Sequence, residues 1–517
     1  GVESMSYFQD ALVTIRQGRL QGCKDKEVHV FRGIPYAAPP VGERRFKAPA
    51  DPGRWRGTRD ATRYGAASIQ AVHEPGFVTP NSQYEEDCLY LNVWTPAKSA
   101  CEKLPVFMWI HGGGLVAGSG VEQVCQGSDF AREKGVVVVT INYRLGFFGF
   151  FSHPELTEET EEKYSGNYAL LDMRKAAMWI RDNIAAFGGD PDNLTIAGQS
   201  GGAAACGAIL ASPLMKGLFK RICIISGPVY WGFMQPPLRE EMERRGVAFM
   251  EKAGCHSIAK LREKDAWELY DQVGNDIMAF NYSIDGYFLP DRIHDIMERG
   301  EFNDVDVVIG SCAQEFPVSG PEGVSIDEYD QYLHRAFPDN IENMKLWYPA
   351  ATPMEAAKQG STIASDILLM GSVRVGQLCA KYGRRSFVYL NTKETENEEG
   401  KALGCLHCTE MPYLFGNVDK GGRSPFHDYK WVDEDYAFME QIMGYWANFV
   451  KTGDPNGEGL VEWKAYSDDY DVMVLGNKSH MADQSRARPV YDYYFGRLMQ
   501  DIYCSWRPYM MNVPRPM

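Results

Sequence analysis

Short apolar, largely β-branched runs recur along the chain, separated by longer stretches in which apolar residues return every three or four positions. Val106–Ile110, Val136–Ile141, Leu194–Ala197, Ile222–Ile225, Val305–Ile309, Phe387–Leu390 and Val472–Leu475 are apolar on mostly consecutive positions. That pattern marks strands covered on both faces. Ala169–Phe187 and Gly202–Ala211 carry the helical pattern between them. Buried strands alternating with helices predict an α/β fold: a mainly parallel central sheet with helices on both faces. From about 215 to 370 the chain is richer in charged helical sequence, for example Leu238–Lys252 and Met354–Ile367. This region reads as helical insertions over the sheet that shape a pocket. No repeat, low-complexity tract or Pro/Ser-rich linker divides the chain, so residues 1–517 read as one α/β domain.

Composition narrows the function classes. The 517 residues are 44% hydrophobic and 24% charged, an ordinary globular balance. Lys and Arg number 53 against 69 Asp and Glu, a net charge of −16. An acidic chain of this kind argues against gripping nucleic acid or an anionic membrane surface, either of which needs basic patches. No uninterrupted apolar run reaches the ~18 residues of a membrane span. The opening GVESMSYFQD lacks the basic-then-apolar profile of a signal peptide.

The most informative segment is LTIAGQSGGAAACGAILA, where the strand Leu194–Ala197 runs into Gly198-Gln199-Ser200-Gly201-Gly202 and then a small-residue helix. This is G-x-S-x-G in strand–turn–helix context, the arrangement that lifts a nucleophilic serine above a sheet on a strained turn. The helix N-terminus behind Ser200 favours developing negative charge. Upstream, His111-Gly112-Gly113-Gly114 follows directly on a strand. Acyl transfer needs backbone N–H donors aimed at an oxyanion, and glycines let the backbone come close enough. Gly113, Gly114 and Gly201 are the candidate donors. The loop lacks the Lys-Ser/Thr of a P-loop and the spacing of a dinucleotide site, so phosphate binding is the weaker reading. His111 precedes Ser200, whereas the base of this arrangement follows it, which makes His111 a structural residue.

Six histidines follow Ser200: His256, His294, His334, His407, His427 and His480. His407, in GCLHCTEMPYLFG, follows a strand and a polar turn; His427, beside Asp428, is the alternative. For the acid, Glu315 follows the strand Val305–Ile309 and the turn Gly310-Ser311, although an ordinary loop carboxylate would look the same. The order Ser200…Glu315…His407 fits the Ser…Asp/Glu…His sequence of α/β-hydrolases.

Nearly the whole chain resembles the type-B carboxylesterase family of cholinesterases, liver carboxylesterases and bacterial para-nitrobenzyl esterases, and is closest in character to the last. The resemblance rests on FRGIPYAAPPVGERRF (Phe31–Phe46), EDCLYLNVWTP (Glu86–Pro96), WIHGGG (Trp109–Gly114), NYRLGFFGF (Asn142–Phe150), Gly166–Gly202, Asp285-Gly286 and YWANFVKTGDPN (Tyr445–Asn456). It implies an α/β-hydrolase fold and ester hydrolysis through an acyl-enzyme, without cofactor or metal. It also implies Ser200 as nucleophile, Glu315 as acid, His407 as base, and Gly113, Gly114 and Gly201 as oxyanion donors. The expected partner is a small-molecule ester; amides or thioesters are alternatives on the same apparatus. A non-catalytic binding protein on the same fold is the rival from another class. The natural ester and the oligomeric state are left open.

Departures from the family sharpen these expectations. Gln199 stands where the glutamate before the nucleophile is usual, and no tryptophan occurs between Trp55 and Trp94, with Val78 near the place of the cation-binding one. Both attractions for a quaternary ammonium are thereby lost, so a choline ester is not the preferred substrate. Two family disulfides also lack partners. Ser68 stands where the partner of Cys88 would sit, and the stretch after Cys255 has Lys260 before Leu261-Arg262. Twelve cysteines without those pairings point to a reducing, bacterial cytoplasm, with a secreted mature chain as the alternative. Cys405 and Cys408 bracket His407 in a C-x-x-C that lacks the further nearby ligands of a zinc site, and they read as unpaired thiols.

Overall fold

The computed structural model describes residues 9–71, 83–230, 236–317, 322–418, 429–467 and 469–500. His427, Val78 and most of the loop 70–83 lie outside them. Eleven strands form one twisted sheet. From edge to edge they are Cys23–Asp25, Val28–Pro35, Tyr90–Thr95, Val137–Ile141, Leu104–Ile110, Gly189–Gln199, Arg221–Ile225, Asp306–Cys312, Ser386–Asn391, Val472–Leu475 and His480–Met481. The seven strands from Val137–Ile141 to Val472–Leu475 run parallel, and antiparallel strands flank them on both sides. A separate three-stranded sheet joins Leu12–Ile15, Gly18–Gln21 and Thr58–Asp60.

Side chains alternate between the two faces of a strand. Val106, Met108 and Ile110 therefore enter one core with Val137, Val139, Ile196, Ile222 and Ile224, under the helices Tyr168–Asn183, Gly201–Ala211 and Pro353–Lys381. Phe107, Trp109, Val138, Ala197, Cys223 and Ile225 enter the other, under Ser128–Lys134 and Asp433–Thr452. Fully burying each large apolar side chain contributes about 1.5–3 kcal/mol, so the two-sided burial fixes the register of these strands.

The stretch 215–370 is not insertion alone. It supplies two central strands, Arg221–Ile225 and Asp306–Cys312, with the helices Arg239–Lys252, Ile258–Glu263, Ala266–Val273, Ile293–Glu298, Ile326–Ala336 and Ile341–Trp347 around them. The helix Pro353–Lys381 opens with a capping box between Thr352 and Glu355 and runs well beyond Ile367. By length and composition it could cross a membrane, contrary to the reading of the sequence, because polar Ser and Gly residues interrupt its apolar runs without making it hydrophilic. Its most apolar window is 78% buried inside the protein, where it serves as a core helix against the strands Asp306–Cys312 and Ser386–Asn391.

A buried ion pair braces the loop that follows Val137–Ile141. Arg144 donates to Asp172 through Nε at 2.9 Å, Nη2 at 2.7 Å and its backbone N–H at 3.1 Å. The loop residue before it, Tyr143, stacks on His111 at 4.3 Å and donates its hydroxyl to the His111 carbonyl at 2.7 Å.

Candidate active site

The long strand Gly189–Gln199 and the helix Gly201–Ala211 are separated by Ser200 alone. Ser200 sits at φ 58°, ψ −122°, a conformation that costs an L-residue about 1–3 kcal/mol. Its N–H donates to Ile225 O at 3.0 Å and its carbonyl accepts from Ala204 N at 2.9 Å, which hold the strained turn in place. The turn is this tight because the helix starts against the neighbouring strand: a Cβ on Gly202 would fall 2.1 Å from Ile110 O. Ser200 therefore stands at the carboxyl end of the sheet, over the first N–H groups of a helix.

Facing it, the loop 111–118 leaves the strand Leu104–Ile110. His111 is fully buried, its Nδ1–H bonded to Gly112 O at 2.7 Å, and burial lowers its pKa to about 4. It is a neutral strut beneath the loop. Gln70 brackets Gly118 by accepting from its N–H at 2.7 Å and donating to its carbonyl at 2.8 Å, while Asn281 donates to Gly114 O at 3.2 Å. Gly113 and Gly114 have φ of 105° and 63°. A Cβ on Gly201 would lie 2.8 Å from Gly114 N, so the amides of Gly114 and Gly201 are neighbours beside the serine.

Glu315 and His407 come together from distant parts of the chain. His407 Nδ1 is 2.5 Å from Glu315 Oε2, and the His407 N–H donates to Glu315 O at 2.9 Å. The other carboxylate oxygen accepts from Cys312 N at 2.6 Å, and Glu315 N–H donates to Ser365 Oγ at 2.7 Å. Phe316 packs on the imidazole with ring centres 4.8 Å apart. Burial pulls the His407 pKa down, but the Cys408 and Glu315 side chains outweigh it and hold the pKa well above the ordinary value. Of the other histidines after Ser200, His256, His334 and His480 are exposed, and His294 stacks on Tyr230 at 4.4 Å.

The contacts of Gln199 and Cys408 with His407, and the whole of Glu410 and Ser226, escaped the reading of the sequence. Gln199 Nε2 lies 3.2 Å from His407 Nε2 and 3.1 Å from Cys408 Sγ, and no hydrogen bond joins Ser200 Oγ to His407 among the described residues. Behind the imidazole, the buried Glu410 accepts from Ser226 Oγ at 3.0 Å and from Cys312 Sγ at 3.2 Å. Burial and the nearby Glu315 raise its pKa. Its only signal in the sequence is its place three residues after His407. Cys405 and Cys408 are unpaired thiols, as are Cys88, against Ser68, and Cys255. Among the described residues no group of three His, Cys, Asp or Glu side chains is placed to hold a metal ion.

Comparison with known proteins gives this arrangement its family. The phenmedipham hydrolase of Pseudarthrobacter oxydans is 33% identical over 495 residues, covering 91% of this chain and 96% of that protein. The medium-chain fatty acyl-CoA hydrolase precursor of Anas platyrhynchos is 32% identical, covering 90% and 87%. A solved PNB esterase superposes with a TM-score of 0.79 at 30% identity, covering 93% of this chain and 99% of that one, in agreement with the expected likeness to para-nitrobenzyl esterases. With residues 9–493 matching the Carboxylesterase family, this chain belongs to that family and is a carboxylic ester hydrolase on the α/β-hydrolase fold.

Proposed function

We propose that the protein is a serine carboxylesterase that works through an acyl-enzyme on the triad Ser200, His407 and Glu315. The observation that carries this reading is the Glu315–His407 pair, set beside the Gln199-Ser200 turn. Glu315 fixes the imidazole with Nδ1 protonated, leaving Nε2 free to take the Ser200 proton as Oγ attacks the ester carbonyl. The N–H groups of Gly113, Gly114 and Gly201 receive the oxyanion. Collapse expels the alcohol with a proton from His407, and the same imidazole then activates water to release the acid. Contacts between base and nucleophile commonly tighten only with substrate in place, which fits a resting His407 that bonds to Gln199 instead of Ser200.

Thioester hydrolysis is the second reading, supported by the likeness to a fatty acyl-CoA hydrolase. Gln199 in place of glutamate disfavours a cationic alcohol group. The free thiols of Cys88 and Cys255 support residence in a reducing compartment. Turnover of para-nitrophenyl acetate, butyrate and octanoate by the wild type and by Ser200→Ala tests the mechanism. Matched oxygen and sulfur esters of one acyl chain separate the two readings. Full activity in Ser200→Ala overturns the triad, and failure of the folded protein to react with an organophosphate leaves only a binding scaffold.

A further inference from the structure

Gln199 is 4% exposed, and its side chain is committed on several sides. Nε2 reaches His407 Nε2 at 3.2 Å and Cys408 Sγ at 3.1 Å. The amide oxygen lies over Gly112, where a Cβ would come within 2.8 Å of it. An amide nitrogen only donates. With His407 Nδ1 facing a carboxylate and carrying the proton, Nε2 presents a lone pair, and the Gln199 N–H can face only that lone pair. It is the lone pair that must take the serine proton. The charged or titratable groups around the imidazole are Glu315 on Nδ1, Cys408 next in the chain and Glu410 behind it; all three are acidic groups that favour a charged ring when ionised.

We propose that Gln199 is a positioning residue for this reaction: its amide, anchored on Cys408 Sγ, holds His407 neutral with Nε2 accepting, and yields that nitrogen to Ser200 when an ester binds. The inference rests on the triad reading above. A hydrogen bond to the neutral form of a base favours that form, so the amide offsets the pull of the surrounding acids. The glutamate usual in the family would add a fourth acidic group at the nitrogen that must stay unprotonated. Gln199 thus sets the pH range over which the base is available, while itself neither taking nor giving a proton in the reaction.

The test is the pH profile of kcat/KM on para-nitrophenyl acetate for wild type, Gln199→Glu and Gln199→Ala. In Gln199→Glu the midpoint of the acid limb is expected to rise by about 1–3 pH units, the effect of an opposite charge within contact distance of the ring. Gln199→Ala, which removes the donor and adds no charge, should raise it by less. Cys408→Ser and Cys408→Ala both remove the acidic thiol, so the difference between their midpoints reads the anchor of the amide. The serine variant, which keeps an acceptor, should have the lower midpoint of the two, and equal midpoints would refute the anchoring. Unchanged midpoints in both Gln199 variants, with rates depressed equally at every pH, would show a merely structural role and overturn the proposal. A titration of the His407 ring nitrogens by ¹⁵N NMR, assigned with His407→Gln, reads the same pKa without turnover. If the wild type hydrolyses no ester, the triad reading falls, while this titration still decides the Gln199 contact: a raised pKa in Gln199→Glu sustains it and an unchanged one refutes it.

Discussion

Gly113 and Gly114 adjoin in sequence, and both are candidate oxyanion donors, yet alanine should affect them differently. At Gly113 the backbone has φ 105°, and an added Cβ would fall 2.2 Å from Ala117 O. That carbonyl belongs to the same tight turn, in which Ala117 N–H donates back to Gly113 O at 3.0 Å. The loop has to rotate to admit the methyl group, and rotation carries the donor off its aim. Loss of one such donor costs about 10²–10³ in kcat, or roughly 2.7–4 kcal/mol. At Gly114 the φ is 63° and the nearest atoms to a Cβ are Met278 Sδ and Val116 Cγ2, both 3.8 Å away. Alanine fits there, at the roughly 1–2 kcal/mol that an L-residue costs in the left-handed region. That strain is present in free and substrate-bound enzyme alike, so it lowers stability with kcat falling by less than about tenfold. Steady-state kinetics on para-nitrophenyl acetate, with thermal melts on the same samples, separate the two effects. Equal losses of kcat in both variants, or a Gly113→Ala variant with wild-type kcat, would refute the reasoning.

Glu315→Gln should lower kcat by about 10⁴ with little change in KM, because an amide no longer holds the imidazole in the productive tautomer; a loss confined to KM would contradict that. The proposed triad needs neutral His407, and the neighbours of that ring raise its pKa, so kcat/KM should climb with pH through a midpoint above the ordinary ~6.5 of histidine. A midpoint below that value would show that burial wins instead. Asp172→Asn leaves Arg144, whose side chain is 2% exposed, without its counter-charge and should cost about 3–5 kcal/mol in denaturant unfolding. Unchanged unfolding would mean that the carbonyl of Lys47, which accepts from Arg144 Nη1 at 2.8 Å, suffices to hold the loop.

The central sheet was legible because its strands are buried on both faces. Val106–Ile110, Leu194–Ala197 and Phe387–Leu390 all fall within observed strands. Leu12–Ile15 and Gly18–Gln21 went unread because they are short and carry polar residues on their open side, and Val28–Pro35 because His29, Arg32 and Gly33 interrupt its apolar positions. Gly189–Gln199 is far longer than its apolar centre because Gly189 pairs with Leu104 at the sheet margin and the polar residues between it and Leu194 sit in a register shift. At the site, the strained turn and the glycine loop are local patterns and were visible as motifs. The contacts of Gln199 with His407 and Cys408, and of Ser226 with Glu410, join residues about 200 positions apart. No periodicity in a single sequence encodes such a meeting; only the strand order brings it about.

That separation has a consequence during synthesis. Gln199 and His407 are 208 residues apart, and Glu315 and His407 another 92. At a translation rate of about 5–20 residues per second, Ser200 leaves the ribosome roughly 10–40 s before His407 does. The strand that carries it can already pair with Leu104–Ile110 and Arg221–Ile225 in that interval, while Glu315 waits without an imidazole to orient. With the proposed triad, an unfinished chain therefore carries an unactivated serine, and ester cleavage begins only after the second half of the sheet has closed on the first.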